Sequence, residues 1–327
     1  MDIYASNYPF GREDQTPRKL LQESGFEYAI NELGRKLKPE ELLEKAGSCK
    51  ALIAGTENLE PLIKSNSNLK MISRIGIGLD SVPLQLCQQR GIQVSYTPDA
   101  VTMAVVELTL GLMITLPRQV VRADRELRAG DWTRFYGPRL EGMNIAIIGC
   151  GRIGSRVAKL LTSFKPARLL LVDVLDKSKL VAELNSAGCP TSQVSLEEAF
   201  SQAQMVSLHI PGHKKNQDLI NAESLKIMPR GSYLINTARG GIVNEAALEL
   251  ALESGQLAGA AIDVFVEEPY KGPLAKLENI IITQHMGSCS HDCRARMERE
   301  ATQEALRFLK GESLQQAVPR EEYQAQE

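Results

Sequence analysis

The sequence predicts an α/β protein made of two doubly wound parallel-sheet lobes. Three observations lead to it. Short apolar runs alternate with segments of helical spacing along nearly the whole chain. A glycine fingerprint of the strand–turn–helix type begins in the middle of the chain, at Gly149, and not near its start. The 327 residues make about two domains of ordinary size. Strands of parallel sheets are covered on both faces, so they read as continuous apolar runs bounded by helical crossovers.

The elements follow in order. Candidate strands are KALIAG (50–55), LKMISRIG (69–76), NIAIIG (144–149), RLLLVD (168–173), MVSLHI (205–210), SYLIN (232–236), GAAID (259–263) and NIIIT (279–283). Thr16-Pro17 opens a helix that Gly25 closes, because proline fits a first turn and glycine a left-handed exit. Asn244 is placed to cap EAALELALES, with Gly255 beyond its end. Residues 103–116 are apolar almost all round as a helix, which asks for burial on several sides or for a subunit contact. A stripe of Cys293, Met297, Ala301, Ala305 and Phe308 makes a last helix, about 290–310, that packs onto another element.

Composition sets the class. With 43 % apolar and 24 % charged residues the chain fits a globular protein, and a net charge of −2 gives no field that would gather nucleic acid. The N-terminus lacks the basic start and apolar stretch of a signal peptide. Segment 103–116 carries Glu107 and is too short to cross a bilayer. Six scattered cysteines make no disulfide framework, so free thiols in a reducing cytoplasm are expected.

The chemistry begins at Gly149-x-Gly151-x-x-Gly154. The first glycine permits the turn, the second lets backbone approach a pyrophosphate, and the third lets helix pack on strand. Arg152 and Ile153 begin the helix whose free N–H groups face the phosphates. The next strand ends in Asp173, 19 residues past Gly154, where a carboxylate accepts the adenosine ribose hydroxyls and repels a 2′-phosphate. NAD is therefore the expected cofactor, with Lys177 and Lys179 nearby as a mild counterargument.

Several motifs in one order make the likeness specific: LKMISRIGIGLDSV (69–82), GIQVSYTPDAVTMAVVELTLGLM (91–113), IAIIGCGRIG (145–154), VSLHIPG (206–212), MPRGSYLINTARGGIVNEAAL (228–248), GAAIDVFVEEP (259–269) and ITQHMGS (282–288). The chain resembles the D-isomer-specific 2-hydroxyacid dehydrogenases, the family of D-3-phosphoglycerate dehydrogenase. That resemblance implies an NAD-binding Rossmann lobe (98–287) inserted into a flavodoxin-like substrate lobe (1–97 and 288–327). It implies hydride transfer between NAD and a small D-2-hydroxy acid, with 3-phosphoglycerate or a related anionic acid as a candidate, in a homodimer.

The resemblance also assigns Arg239, Glu268 and His285 as the catalytic residues. Arg239 follows a strand at its carboxyl end among small residues, and its fork suits the carboxylate of a 2-hydroxy acid. Histidine titrates near working pH, so it can take a proton in one direction and return it in the other, and a carboxylate on its far nitrogen steadies the ring. By resemblance, Asp263 sits by the nicotinamide amide, His209, Thr237, Ala238 and Gly287 line the cofactor site, and the Gly76 and Gly78 amides hold the substrate carboxylate. His209 is equally well a satisfied core histidine.

Departures from the family pattern bear on the substrate. Cys150 sits inside the fingerprint, which raises oxidation sensitivity there. Gln284 replaces a common proline, while the 53–57 stretch and Val101 lack the arginine and asparagine of some phosphoglycerate-type members. Arg74 and Arg134 are the remaining cations for a second anionic group; without them a small apolar side chain is favoured. Cys289, Cys293, His285 and His291 lie close in sequence, but the dyad claims His285 and the apolar stripe claims Cys293, so no metal is expected. Two other readings stay open: an NAD(H)-sensing binding protein or corepressor on the same fold, and a hydrolase or isomerase with tightly held NAD.

Overall fold

The computed structural model describes residues 1–326. In chain order its elements are β1 (Ile3–Ala5), α1 (Thr16–Glu23), β2 (Tyr28–Ile30), α2 (Pro39–Ala46), β3 (Ala51–Ala54), α3 (Glu60–Ser65), β4 (Met71–Arg74), α4 (Leu84–Gln89), β5 (Gln93–Ser95) and α5 (Pro98–Thr115). They continue with α6 (Val120–Ala129), β6 (Asn144–Ile148), α7 (Arg152–Leu161), β7 (Arg168–Val172), α8 (Ser178–Ser186), β8 (Thr191–Gln193), α9 (Leu196–Gln202), β9 (Met205–Leu208) and α10 (Ala222–Ile227). The last are β10 (Ser232–Asn236), α11 (Glu245–Glu253), β11 (Leu257–Ile262), β12 (Ile280–Ile282), α12 (His291–Leu309) and α13 (Arg320–Ala325).

The chain divides into two compact units, Met1–Val101 with the residues from Ser288 onward, and Thr102–Gly287. The first division falls inside α5, four residues beyond the 97/98 boundary read from the sequence; a continuous helix leaves no loop to mark it. In the first unit a five-stranded parallel sheet runs β2-β1-β3-β4-β5. One face is covered by Leu42, Leu52, Leu62, Ile72 and Val94. Along the other runs α12, where Ser73 Oγ donates to Ala301 O at 2.8 Å. Cys293, Met297, Ala301 and Ala305 of its predicted stripe are buried and Phe308 is half-buried. The same face also buries Glu298 and Glu304, which no apolar pattern announces. Glu298 is bound by Arg294 Nε at 2.9 Å, the Gly11 N–H at 2.7 Å and Asn7 Nδ2 at 3.2 Å, so the buried carboxylate is satisfied.

The second unit has a seven-stranded parallel sheet, β12-β11-β10-β9-β6-β7-β8, with a core on each face. Strand order reverses beside β6, where β9 lies on one side and β7 on the other. In open α/β sheets the crevice at such a reversal, beyond the carboxyl ends, is where ligands bind. α5 is 18 residues long, more than the apolar segment suggested, and half of it is buried. Val106, Leu112 and Met113 enter the core while Met103, Glu107 and Ile114 stay exposed. Asn244 caps α11 as expected, accepting the Ala247 N–H at 2.9 Å.

Candidate active site

The fingerprint turn is shaped by close approach. Gly149 adopts φ +91°, and a Cβ there would stand 2.6 Å from the His209 carbonyl. A Cβ on Gly154 would stand 1.9 Å from Gly149 O, so α7 rests directly on the turn. At Gly151 nothing lies within 4 Å of the Cβ position, which leaves room for a ligand over the start of α7. Arg152 is exposed there and Ile153 half-buried. Asp173, just beyond β7, accepts the Cys150 N–H on Oδ2 at 2.7 Å and the Leu175 N–H on Oδ1 at 2.8 Å. Turn, open second glycine, uncapped helix start and strand-end carboxylate together fit an NAD pyrophosphate and ribose.

Cys150 corrects the sequence reading. Its side chain is 4 % exposed, and burial beside Asp173 pushes the thiol up to about 12. A thiol so held is a small core group, not an oxidation site. His209 lies at the turn too: its N–H donates to Ile148 O at 2.7 Å and its Nε2 pairs with Ser207 Oγ at 2.9 Å. Burial pushes its imidazole down to about 4, so it is neutral at working pH.

The loop after β10 carries the arginine. Asn236 ends the strand and ties the loop with both amide atoms, accepting the Ala238 N–H and donating to Arg239 O, each at 3.0 Å. Sequence reasoning missed this, although an asparagine just before a turn carries the signal. Thr237 turns its hydroxyl to Thr109 Oγ1 at 2.8 Å, which ties the loop to α5. Arg239 is half-buried and gives Nη1 to Ala238 O at 2.7 Å. Gly240 follows because a Cβ there would stand 2.0 Å from Phe265 O. The arginine loop therefore lies backbone to backbone on the segment that holds Glu268.

Glu268 and His285 meet as predicted. His285 Nδ1 stands 2.8 Å from Glu268 Oε2 and 3.1 Å from Oε1, and Phe265 N–H steadies Oε1 at 3.1 Å. An ionised carboxylate only accepts, so Nδ1 carries the hydrogen and Nε2 is left for a substrate proton. Both side chains remain partly exposed. His285 itself takes φ +51°, a backbone conformation that costs a non-glycine residue of order 1 kcal/mol or more.

Asp263 supplies what holds that conformation. It is 1 % exposed; its Oδ1 accepts Thr283 Oγ1 at 2.5 Å and the Met286 N–H at 2.8 Å, and its Oδ2 accepts the Gly287 N–H at 3.0 Å. Its carbonyl takes the His285 N–H at 2.8 Å. Three of its acceptor positions are thus spent on loop 283–287, and Asp263 is a positioning residue for His285 more than a ligand contact. A Cβ on Gly287 would stand 3.2 Å from Val105, so the loop is also closed down on α5.

In the first unit the glycine loop after β4 is differently engaged. Gly76 gives its N–H to Thr97 Oγ1 at 2.8 Å, which takes that amide from the predicted substrate cradle. Arg74 is 8 % exposed and folds onto its own loop, donating Nε to Gly78 O at 3.0 Å and Nη1 to Ile75 O. It clamps the loop instead of standing as a solvated cation. Arg134 is exposed in the extended stretch after α6, with Trp132 and Tyr136. His291 pairs with Glu13 and Cys293 is buried; among the described residues no three His, Cys, Asp or Glu side chains are grouped to hold a metal.

A doubly wound sheet with this turn, beside an arginine and a carboxylate–histidine pair, defines an NAD-linked oxidoreductase of small acids. The model of the D-isomer specific 2-hydroxyacid dehydrogenase NAD-binding domain matches residues 110–287. The chain belongs to the D-isomer specific 2-hydroxyacid dehydrogenases. It is 37 % identical over 254 residues to a glyoxylate reductase of Thermofilum pendens, covering 75 % of this chain and 73 % of that protein. It is 33 % identical over 306 residues to human D-3-phosphoglycerate dehydrogenase, covering 92 % of this chain but only 56 % of that longer protein. The solved TT0316 protein of Thermus thermophilus superposes with TM-score 0.87 at 33 % identity, over 98 % of this chain and 100 % of its own.

Proposed function

We propose that the protein reduces a short 2-oxo acid, of the glyoxylate class, to the D-2-hydroxy acid, and runs the reverse oxidation when the acid is supplied. The observation that carries the reading is the His285–Glu268 pair, with Nε2 left for substrate. NAD supplies the hydride acceptor or donor. His285 Nε2 gives its proton to the oxygen of the 2-oxo group as that oxygen gains charge, and recovers it in reverse. Glu268 holds Nδ1 and offsets the positive charge of the imidazolium. Arg239 grips the acid's carboxylate and polarises the carbonyl beside it.

The choice of a short, singly charged acid is supported by Arg74, whose guanidinium is turned onto two backbone carbonyls. It is supported also by the likeness to a glyoxylate reductase. The test is NADH oxidation with glyoxylate, pyruvate, 2-oxoisocaproate and phosphohydroxypyruvate. A kcat/KM highest for the small acids is expected. A preference for the phosphorylated acid that falls with salt would overturn the choice and move attention to Arg134.

A homodimer goes with this reading. Met103, Ile114, Val120, Val121, Leu127, Trp132 and Tyr136 are large apolar side chains left 41–86 % exposed on one stretch of chain, more than a monomer usually shows together. Sedimentation at micromolar concentration should give twice the chain mass, and a stable single-chain species would refute it. The six cysteines, none of them in a disulfide, favour a reducing, cytoplasmic setting.

A further inference from the structure

Asp173 is the residue expected to choose NAD, yet its carboxylate is crowded. An ionised carboxylate has about four acceptor positions. Two go to the Cys150 and Leu175 N–H groups, which shape the fingerprint turn and the loop after β7. A third partner is Lys177, whose Nζ stands 3.4 Å from Oδ2, with only 18 % of its side chain and 11 % of that of Asp173 exposed. An adenosine ribose diol asks the same carboxylate for two acceptor positions. The lysine and the diol thus compete for Oδ2.

The lysine is not there by chance rotation. Its backbone N–H donates to Gln193 Oε1 at 2.8 Å, and Gln193 Nε2 donates to Asp173 O at 3.2 Å and Leu175 O at 2.9 Å. One glutamine on β8 therefore staples both ends of the 173–177 loop. With the loop pinned, the ammonium is delivered to the Asp173 carboxylate. The pair is close to neutral, where an unpaired aspartate would present a full negative charge.

We propose that Lys177 is a cofactor-specificity residue: its ion pair with Asp173 weakens the rejection of a 2′-phosphate, so the enzyme accepts NADPH as a second cofactor. The inference rests on the NAD assignment above and deepens it. With NADH, the ammonium yields Oδ2 to the ribose hydroxyls. With NADPH, it turns from Asp173 to the phosphate, whose two charges it meets at short range. NAD remains preferred, because Asp173 is still beside the ribose. The width of the preference is what Lys177 sets.

The test is equilibrium binding, read from nicotinamide fluorescence with no substrate present. Dissociation constants for NADH and NADPH are measured in the parent protein and in Lys177→Ala, Lys177→Arg and Lys179→Ala. Lys177→Ala should weaken NADPH roughly five- to tenfold, the worth of a half-buried ion pair, and change NADH by less than about threefold. Lys177→Arg should keep NADPH binding. Lys179→Ala removes an equal charge from the first turn of α8 and should move the ratio little. An unchanged ratio in Lys177→Ala would overturn the proposal, and so would an equal shift in Lys179→Ala. If the parent protein bound no NADH at all, the cofactor assignment itself would fall; normal NADH binding with an unmoved ratio would sink only the role of Lys177.

Discussion

Two arginines in this protein stand beside glycines at strand ends, in loops that are fastened differently. Arg74 ends β4 and is followed by Gly76 and Gly78; Arg239 comes just after β10 and is followed by Gly240 and Gly241. Both lie at the carboxyl edge of a parallel sheet, where ligand crevices form. Arg74 is 8 % exposed and spends Nε and Nη1 on the carbonyls of its own loop. Arg239 stays half-buried, and its loop is tied by Asn236 and by the bare backbone of Gly240. In the second loop Asn236 and Gly240 fasten the backbone, and Arg239 adds Nη1 to Ala238 O. A strand-end arginine is thus read by asking who holds the loop.

The sharpest way to break the comparison is at the residues proposed to meet substrate. His285 is held by Asp263 and Glu268, so its ring has nothing to fasten. His285→Ala should lower kcat by roughly 10²–10⁴, the worth of a positioned acid–base group. NADH affinity and thermal stability should stay near those of the parent. Near-normal turnover would place the proton elsewhere.

The arginines come next, as a pair. Arg239→Met should lower kcat/KM by roughly 10²–10³, as for the loss of one charge-stabilising donor, with little change in stability. Arg74→Met should do the reverse. A buried and a half-buried carbonyl lose their donor, at about 1–3 kcal/mol, and the loss should appear as an earlier urea transition while NADH binding holds. Unchanged unfolding with a raised KM for the acid would put Arg74 among the ligand groups and erase the distinction.

Much of this was legible in the sequence because it is written in local rules. Three glycines at fixed spacing, Asp173 at the next strand end, and the Asn244 cap all act within a few residues of themselves. The long buried strands of the second sheet were equally plain. β1, β2, β5 and β8 were not: each is three residues long, β2 is only half-buried, and β8 reads Thr-Ser-Gln. Three residues give no periodicity, and only an unbroken aliphatic run such as Ile280–Ile282 of β12 stands out. The pairing of Glu268 with His285 came from family likeness, since 17 residues and a strand separate them. Asp263 as the tie of loop 283–287, Thr237 facing Thr109, and Arg74 folded inward are all matters of side-chain direction. Residue type does not carry that; only packing decides it.

The smallest expected effect concerns the turn itself. Cys150 belongs with Arg74 as a group turned inward: Sγ points at the carbonyls of Ile147 and Val172, at 3.8 and 3.9 Å, and the residue is buried. A thiol pushed up to about 12 leaves about one part in 10⁴ as thiolate at pH 8, against roughly a quarter for an ordinary cysteine. Cys49, Cys87, Cys189 and Cys293 are buried as well, and Cys289 alone is exposed. Iodoacetamide at pH 8 should therefore add one label per chain quickly, at Cys289, with turnover changed by less than about twofold, since burial removes both access and thiolate at Cys150. Peptide mass spectrometry identifies the site. Labelling of Cys150 at the rate of Cys289 would mean that the fingerprint turn opens in solution. The turn would then have to be placed with the mobile, ligand-facing parts of the molecule and not with the clamped ones.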